Sequence, residues 1–153
     1  MKLFSIQDIF LGIVYLVIIY AIAYRLKSRQ QEKGLDSKYF IGGLTAKLIG
    51  VSAFCLIYGL YYGGGDTVNY YLGASAVANL MAEDFSAFYS IVFENELEKT
   101  WGAFNQETGY PPHYMWKDPA TFAVSRYSIL FCLLGAKSFF VTSLLVASFS
   151  YIG

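Results

Sequence analysis

Uncharged apolar runs alternate with short charged stretches along this chain. From Ile9 to Tyr24 no residue is charged, and IFLGIVYLVIIYAIAY is rich in Ile, Val, Leu and Tyr. With Leu3 to Ile6 leading in, the segment approaches the ~20 apolar residues that cross a bilayer core as a helix. A second run, Leu48 to Gly65, holds 18 residues without a charge and covers about 27 Å as a helix. It starts near Leu44, with Lys47 snorkelling back to the headgroups. Tyr58, Tyr61 and Tyr62 crowd its far end, as in the aromatic belt of a membrane interface. Phe122 to Ala136 is apolar apart from Arg126, and Ser138 to Gly153 is apolar throughout. A single span over both would leave Lys137 in mid-membrane at high cost. A tight turn at Gly135-Ala136-Lys137-Ser138 instead returns Lys137 to the basic side between a third and a fourth span.

The pattern therefore predicts an all-α integral membrane protein of three to four transmembrane helices, at 1–24, 44–65, 119–136 and 138–153. A basic loop at 25–47 and a helical outer loop at 66–118 connect them. The fourth span stops at Gly153 with no polar anchor, which marks the chain as the N-terminal piece of a longer polytopic protein. In the outer loop, Asp66 or Thr67 caps a helix through Met81, with Tyr70, Ala74, Val77 and Met81 at helical spacing. Phe85, Phe88, Tyr89, Val92, Phe93 and Leu97 form the stripe of a second helix, and Ser86, Ser90, Glu94, Glu96 and Glu98 fall largely elsewhere on its wheel. Without Lys or Arg on the polar face, this helix fits packing onto its own protein better than lying on a membrane surface.

Charge orients the chain. The stretch 25–47 carries Arg25, Lys27, Arg29, Lys33, Lys38 and Lys47 against Glu32 and Asp36, so the positive-inside rule puts it in the cytoplasm and the N-terminus outside. The stretch 66–125 reverses the sign, with eight acidic residues against Lys99 and Lys117. A secretory signal peptide would carry its positive charge in front of the apolar run; here the basic cluster follows it, so the first span is uncleaved. Charged residues make up 14% of the 153, hydrophobic ones 56% and aromatic ones 19%, at zero formal net charge. These values exclude a disordered chain and a nucleic-acid-binding domain. The expected place is the cell inner membrane, with the lipid bilayer as the first partner.

Candidate chemistry is concentrated in Tyr61-Tyr62-Gly63-Gly64-Gly65-Asp66-Thr67-Val68-Asn69-Tyr70-Tyr71. Three glycines free the backbone for positive φ and for close approach to a ligand, and their N–H groups can form an anion-binding concavity. Asp66 then opens a helix. It can act as a general base, hold a divalent metal ion against a diphosphate, or simply cap the helix. Arg126 and Lys117 are candidates to hold phosphate, and His113, the one histidine, is a candidate base. Arg126 reads equally as a snorkelling anchor, and a lone loop histidine is more often just solvated. Cys55 and Cys132 lie in apolar spans without the company a metal site needs. Walker, Rossmann and HExxH patterns are absent.

The string YGLYYGGGDTVNYY resembles the first outer-loop motif of Wzy/EpsG-type polysaccharide polymerases, a Gly-Thr-Asp-aromatic-x-x-Tyr pattern after an early span. The matching positions are Gly65, Asp66, Thr67 and Tyr70, with Gly64-Gly65 standing where the pattern has Gly-Thr. The layout is also similar to GT-C glycosyltransferases, which place a catalytic Asp in the first outer loop; Thr67 stands where their second carboxylate would be. Both resemblances cover Leu44 to Met81. They imply a polyprenyl-diphosphate-linked sugar as substrate, with Asp66 catalytic and Asn69, Tyr70, His113, Lys117 and Arg126 near the substrate. The rival reading is a non-catalytic membrane subunit whose Phe85–Leu97 stripe docks a partner protein in the helix-in-groove manner.

Overall fold

In the computed structural model, residues 5–34, 37–94 and 97–152 are described; Leu3, Asp36, Glu96 and Gly153 lie outside them. Every regular element among these residues is helical. Helix α1 (Ile6–Glu32) starts at a capping box, in which Ser5 Oγ accepts from the Asp8 amide at 3.2 Å and Asp8 accepts from the Ser5 amide at 2.7 Å. It runs eight residues past Tyr24, because RLKSRQQE is built from good helix formers and its basic residues suit the negative end of the dipole. Helix α2 (Phe40–Leu56) likewise begins before Leu44, so most of the basic stretch is helical rather than loop. Gly43 lets the ring of Tyr151 approach. A Cβ there would fall 2.3 Å from the Tyr151 hydroxyl, which donates to the Phe40 carbonyl at 2.9 Å. Lys47 donates to Ser150 Oγ at 2.7 Å.

After α2 the chain widens into a π-helical turn, Ile57–Tyr62, and then passes the glycines into α3 (Asp66–Glu83). Small residues at Gly73, Ala74, Ser75, Ala76 and Ala78 let neighbours close on several sides of α3, and all five are buried. Tyr71 rather than Tyr70 is fully buried, and Met81 of the expected stripe points outward. The expected second helix is broken into α4 (Phe85–Tyr89), a π-helical turn at Ser90–Glu94 and α5 (Leu97–Thr100). Its stripe divides: Phe88 and Leu97 are buried, joined by Ile91 from outside the stripe, whereas Phe85, Tyr89 and Phe93 are exposed.

Helix α6 (Pro119–Leu134) lies beside α3 and runs in the same direction. Asn69 meets Tyr114 just before α6, Gly73 faces Ser125 in the middle, and Asn79 meets Lys137 just after α6. Helix α7 (Phe139–Ile152) then turns away from α6 by 109° and slots between α1 and α2. Phe140 packs on Gly12, where a Cβ would fall 2.5 Å from its ring. Ile19, Ala23, Leu44, Leu48 and Leu144 close the seam.

Two described helices are long and apolar enough to cross a membrane, Ile6–Glu32 and Phe40–Tyr62, or three if α6 and α7 together form one bent span. With 16 and 14 residues, α6 and α7 are about 24 and 21 Å long, each short of a ~30 Å hydrocarbon core. The bent pair α6–α7 thus supplies at most one of the two crossings expected between 119 and 153 within the described residues. The turn between them also departs from its expected position. Tyr15 donates to the Leu134 carbonyl and Asp8 lies near Ser138, so Lys137 sits at the N-terminal end of α1, away from the basic stretch. Its ammonium is satisfied there by Asn79 Oδ1 at 2.6 Å, so the basic side is not needed to stabilise it.

Candidate functional site

The corner before α3 is built by backbone geometry. Gly63 takes φ 62°, and Gly65 takes φ 126° and ψ 172°, a region essentially reserved for glycine. The Gly64 amide donates back to the Tyr58 carbonyl at 3.2 Å. A Cβ on Gly65 would lie 2.7 Å from the Tyr58 ring. Gly65, not Asp66 or Thr67, is the N-cap residue, and its carbonyl accepts from the Asn69 amide at 2.9 Å. Asp66 is therefore the first helical residue, exposed, with its carboxylate in the turn where the helix dipole favours negative charge.

Because α3 and α6 are parallel, their N-terminal ends share one place. Tyr114, in the 3₁₀ turn His113–Trp116, lies beside the Asn69 side chain and feels Asp66, Tyr70 and Asp118. Partial burial first, and then the nearby acidic groups, chiefly Asp66, hold the Tyr114 phenol above its ordinary range. It stays protonated and able to donate. The turn is fixed by buried Met115, whose sulfur lies against Gly73 and Ser125. Asp118 caps α6, accepting from the Ala120 and Thr121 amides at 3.2 and 3.1 Å and from the Thr121 hydroxyl. Those bonds hold its carboxyl below the usual range.

The corner thus gathers Asp66, Asn69 and Tyr70 and adds Tyr114 and Asp118, which sequence reasoning did not select. Asp118-Pro119-Ala120-Thr121 carries a readable N-cap signal; nothing in the local sequence points to Tyr114. Lys117 is exposed beside Asp118. His113 belongs to an aromatic cluster, edge-on to Trp101 and Trp116 at 6.0 and 5.6 Å, with the two indoles stacked at 5.6 Å. Arg126 is not brought to the cavity beside the corner. Val124 and Ser128 line that cavity, and Arg126, two residues from each, lies about 200° around the helix from both. Among the described residues no three His, Cys, Asp or Glu side chains converge as a metal site. A divalent ion at the corner would draw the rest of its oxygen shell from phosphates and water.

The cavity holds about 250 Å³ between α2, α3, α6 and α7, with Thr67 and Tyr70 at the end next to Asp66. No family model matches the chain, and neither a curated protein nor a solved structure shows significant similarity to it.

Proposed function

We propose that the chain is part of a cell-envelope membrane enzyme, a glycosyltransferase or polysaccharide polymerase, that uses a polyprenyl-diphosphate-linked sugar on the outer face of the inner membrane. The observation that carries this reading is the company of Asp66: an exposed carboxylate beside a protonated phenol and an amide, next to an apolar cavity. In the step envisaged, an acceptor sugar hydroxyl attacks the anomeric carbon as its proton passes to Asp66. The bond from that carbon to the diphosphate oxygen breaks, and the diphosphate leaves with the electron pair. Tyr114 and Asn69 donate hydrogen bonds toward the departing oxygens, and Lys117 adds a positive charge nearby.

General-base catalysis contributes about 10²–10⁴-fold, so Asp66→Asn is expected to remove transfer from lipid-linked sugar by at least the lower figure. Wild-type transfer by Asp66→Asn would overturn the reading. One observation favours a second reading, a docking subunit: Phe85, Tyr89 and Phe93 are exposed at i, i+4 and i+8. Loss of a co-purifying membrane protein in Phe85→Asp and Phe93→Asp, with transfer intact in Asp66→Asn, would establish that alternative.

A further inference from the structure

We infer that α6 does not cross the membrane but lies in its boundary at the Asp66 end of the spans, with its outward face seated in the bilayer. This placement holds whatever chemistry Asp66 performs.

Helix α7 sets the direction. Phe140 packs on Gly12 at its start and Tyr151 on Gly43 at its end, so α7 runs along the two span-capable helices. α6 turns from it by 109°, and 109° less 90° leaves α6 only 19° from the perpendicular to α7. The two ends of α6 agree with that angle. Its Leu134 carbonyl accepts from Tyr15, in the first half of α1. The turn before it holds Tyr114 beside Asn69, just past the end of α2. The start of α1 and the end of α2 both adjoin the start of α7, Gly12 at Phe140 and Cys55 near Ser143. α6 therefore joins two points at one end of the helix pair. A crossing helix would join opposite ends.

The exposed side of α6 suits that position. Phe122, Ser125, Ile129 and Cys132 meet protein. On the other side Val124, Tyr127, Leu130 and Leu134 are exposed and fall within an arc of about 120° on the helical wheel. Ala120, Ala123 and Phe131 share the arc, which holds no charge; Arg126 lies about 40° beyond its edge. An uncharged arc with a guanidinium at its margin fits a helix sunk about 5–10 Å into the headgroup boundary.

What covers the arc follows from where it leads. The Phe131 ring meets Phe149 of α7 at 5.4 Å, and Val146, Phe149 and Ile152 are exposed along α7. The apolar surface thus passes round the bend onto the open side of a helix that lies among the spans. Lipid that covers one part reaches the other without crossing water. Tyr127 of α6 and Tyr61 and Tyr62 at the end of α2 are all exposed, as phenols at a membrane boundary are. Because α3 and α6 begin together, a lipid-seated α6 also fixes the height of the Asp66 corner at the headgroups.

Nitroxide-labelled cysteines in the full chain, reconstituted in phosphatidylcholine vesicles, test this. Depth is read from collisions with oxygen and with a water-soluble nickel chelate. The wild type, whose Cys55 and Cys132 are buried, sets the background. Tyr127→Cys and Leu134→Cys stand seven residues apart on one side of α6, and Phe10→Cys and Val17→Cys do so on exposed α1. Seven residues cover about 10 Å of helix, so the α1 pair should differ in depth by about that much. The α6 pair should differ by only about 3 Å, that length times the sine of 19°. Both α6 labels should lie within about 10 Å of the headgroups and meet oxygen more often than nickel. A depth difference of about 10 Å in the α6 pair would make α6 part of a crossing. Nickel exceeding oxygen at both sites would put the face in water. Immobilised labels shielded from oxygen would put protein on it, a second copy if the spectra show dipolar broadening. Each of these three outcomes would overturn the inference.

Discussion

Tyr71 and Lys137 are 66 positions apart and joined by a 2.6 Å hydrogen bond from the phenol to the lysine's main-chain carbonyl. That carbonyl belongs to a turn in which Ala136 and Lys137 both have left-handed backbone, φ 50° and 57°. For a residue with a Cβ this conformation costs about 1–2 kcal/mol, so the turn is held from outside. Tyr71→Phe should lower stability by about 1–3 kcal/mol, the range for leaving a part-buried acceptor unmet. Thermal unfolding in detergent measures it.

The same strain predicts a gain elsewhere. Ala136 is exposed, and Ala136→Gly removes the Cβ clash at a smaller entropic cost. Net stabilisation of about 0.5–1 kcal/mol is expected, read as a raised melting temperature. No gain would mean that the turn is not under strain.

The three corner glycines are not equivalent. Gly65→Ala should cost about 2 kcal/mol or more, because its φ of 126° and the Tyr58 ring at 2.7 Å both refuse a methyl group. Gly64→Ala meets nothing within 4 Å and should be near neutral. If Asp66 acts as proposed, Gly65→Ala also lowers transfer and Gly64→Ala does not, in one glycan-synthesis assay of both variants.

Two groups at the corner give opposite pH dependences. Asp118 has its folded pKa lowered by Thr121 and Ala120, so its contribution is complete above the unfolded carboxylate pKa. It is lost as pH falls through the lower folded value. Tyr114 has its pKa raised, by burial first, so its contribution is complete below the unfolded phenol pKa. It is lost as pH rises through the higher folded value. Asp118→Asn keeps a capping side chain and should flatten only the acid limb of a stability-versus-pH curve. Tyr114→Phe should flatten only the alkaline limb. An unchanged pair of limbs in both variants would remove the two groups from the titration.

Local grammar carried much of this architecture. The uncharged runs beginning at Ile9 and Leu48 spell α1 and α2. The glycines before Asp66 spell a corner with a helix after it. The partnership of α3 with α6 was not legible, because it depends on contacts such as Gly73 with Ser125 that span fifty residues. The bend within 119–153 was not legible for a related reason. An apolar run has the same composition whether its face meets lipid or another helix, and α6 uses Phe122, Ser125, Ile129 and Cys132 to meet protein. The place of Lys137 was hidden too, since an asparagine able to receive its ammonium is invisible until Asn79 arrives in space. Tyr114 reached the candidate site only through the parallel placement of two helix beginnings.

The seating of α7 between Gly12 and Gly43 has a consequence for biogenesis. The first two helices are made early and meet each other over little surface, near Tyr20 and Thr45; the wedge that fills the space between them is synthesised after both. Until Phe140 and Tyr151 leave the ribosome, the seam between the two helices stands open. Seating α7 is therefore a step separate from making the first two helices, and a bulky residue at either glycine would block it while leaving both of those helices intact.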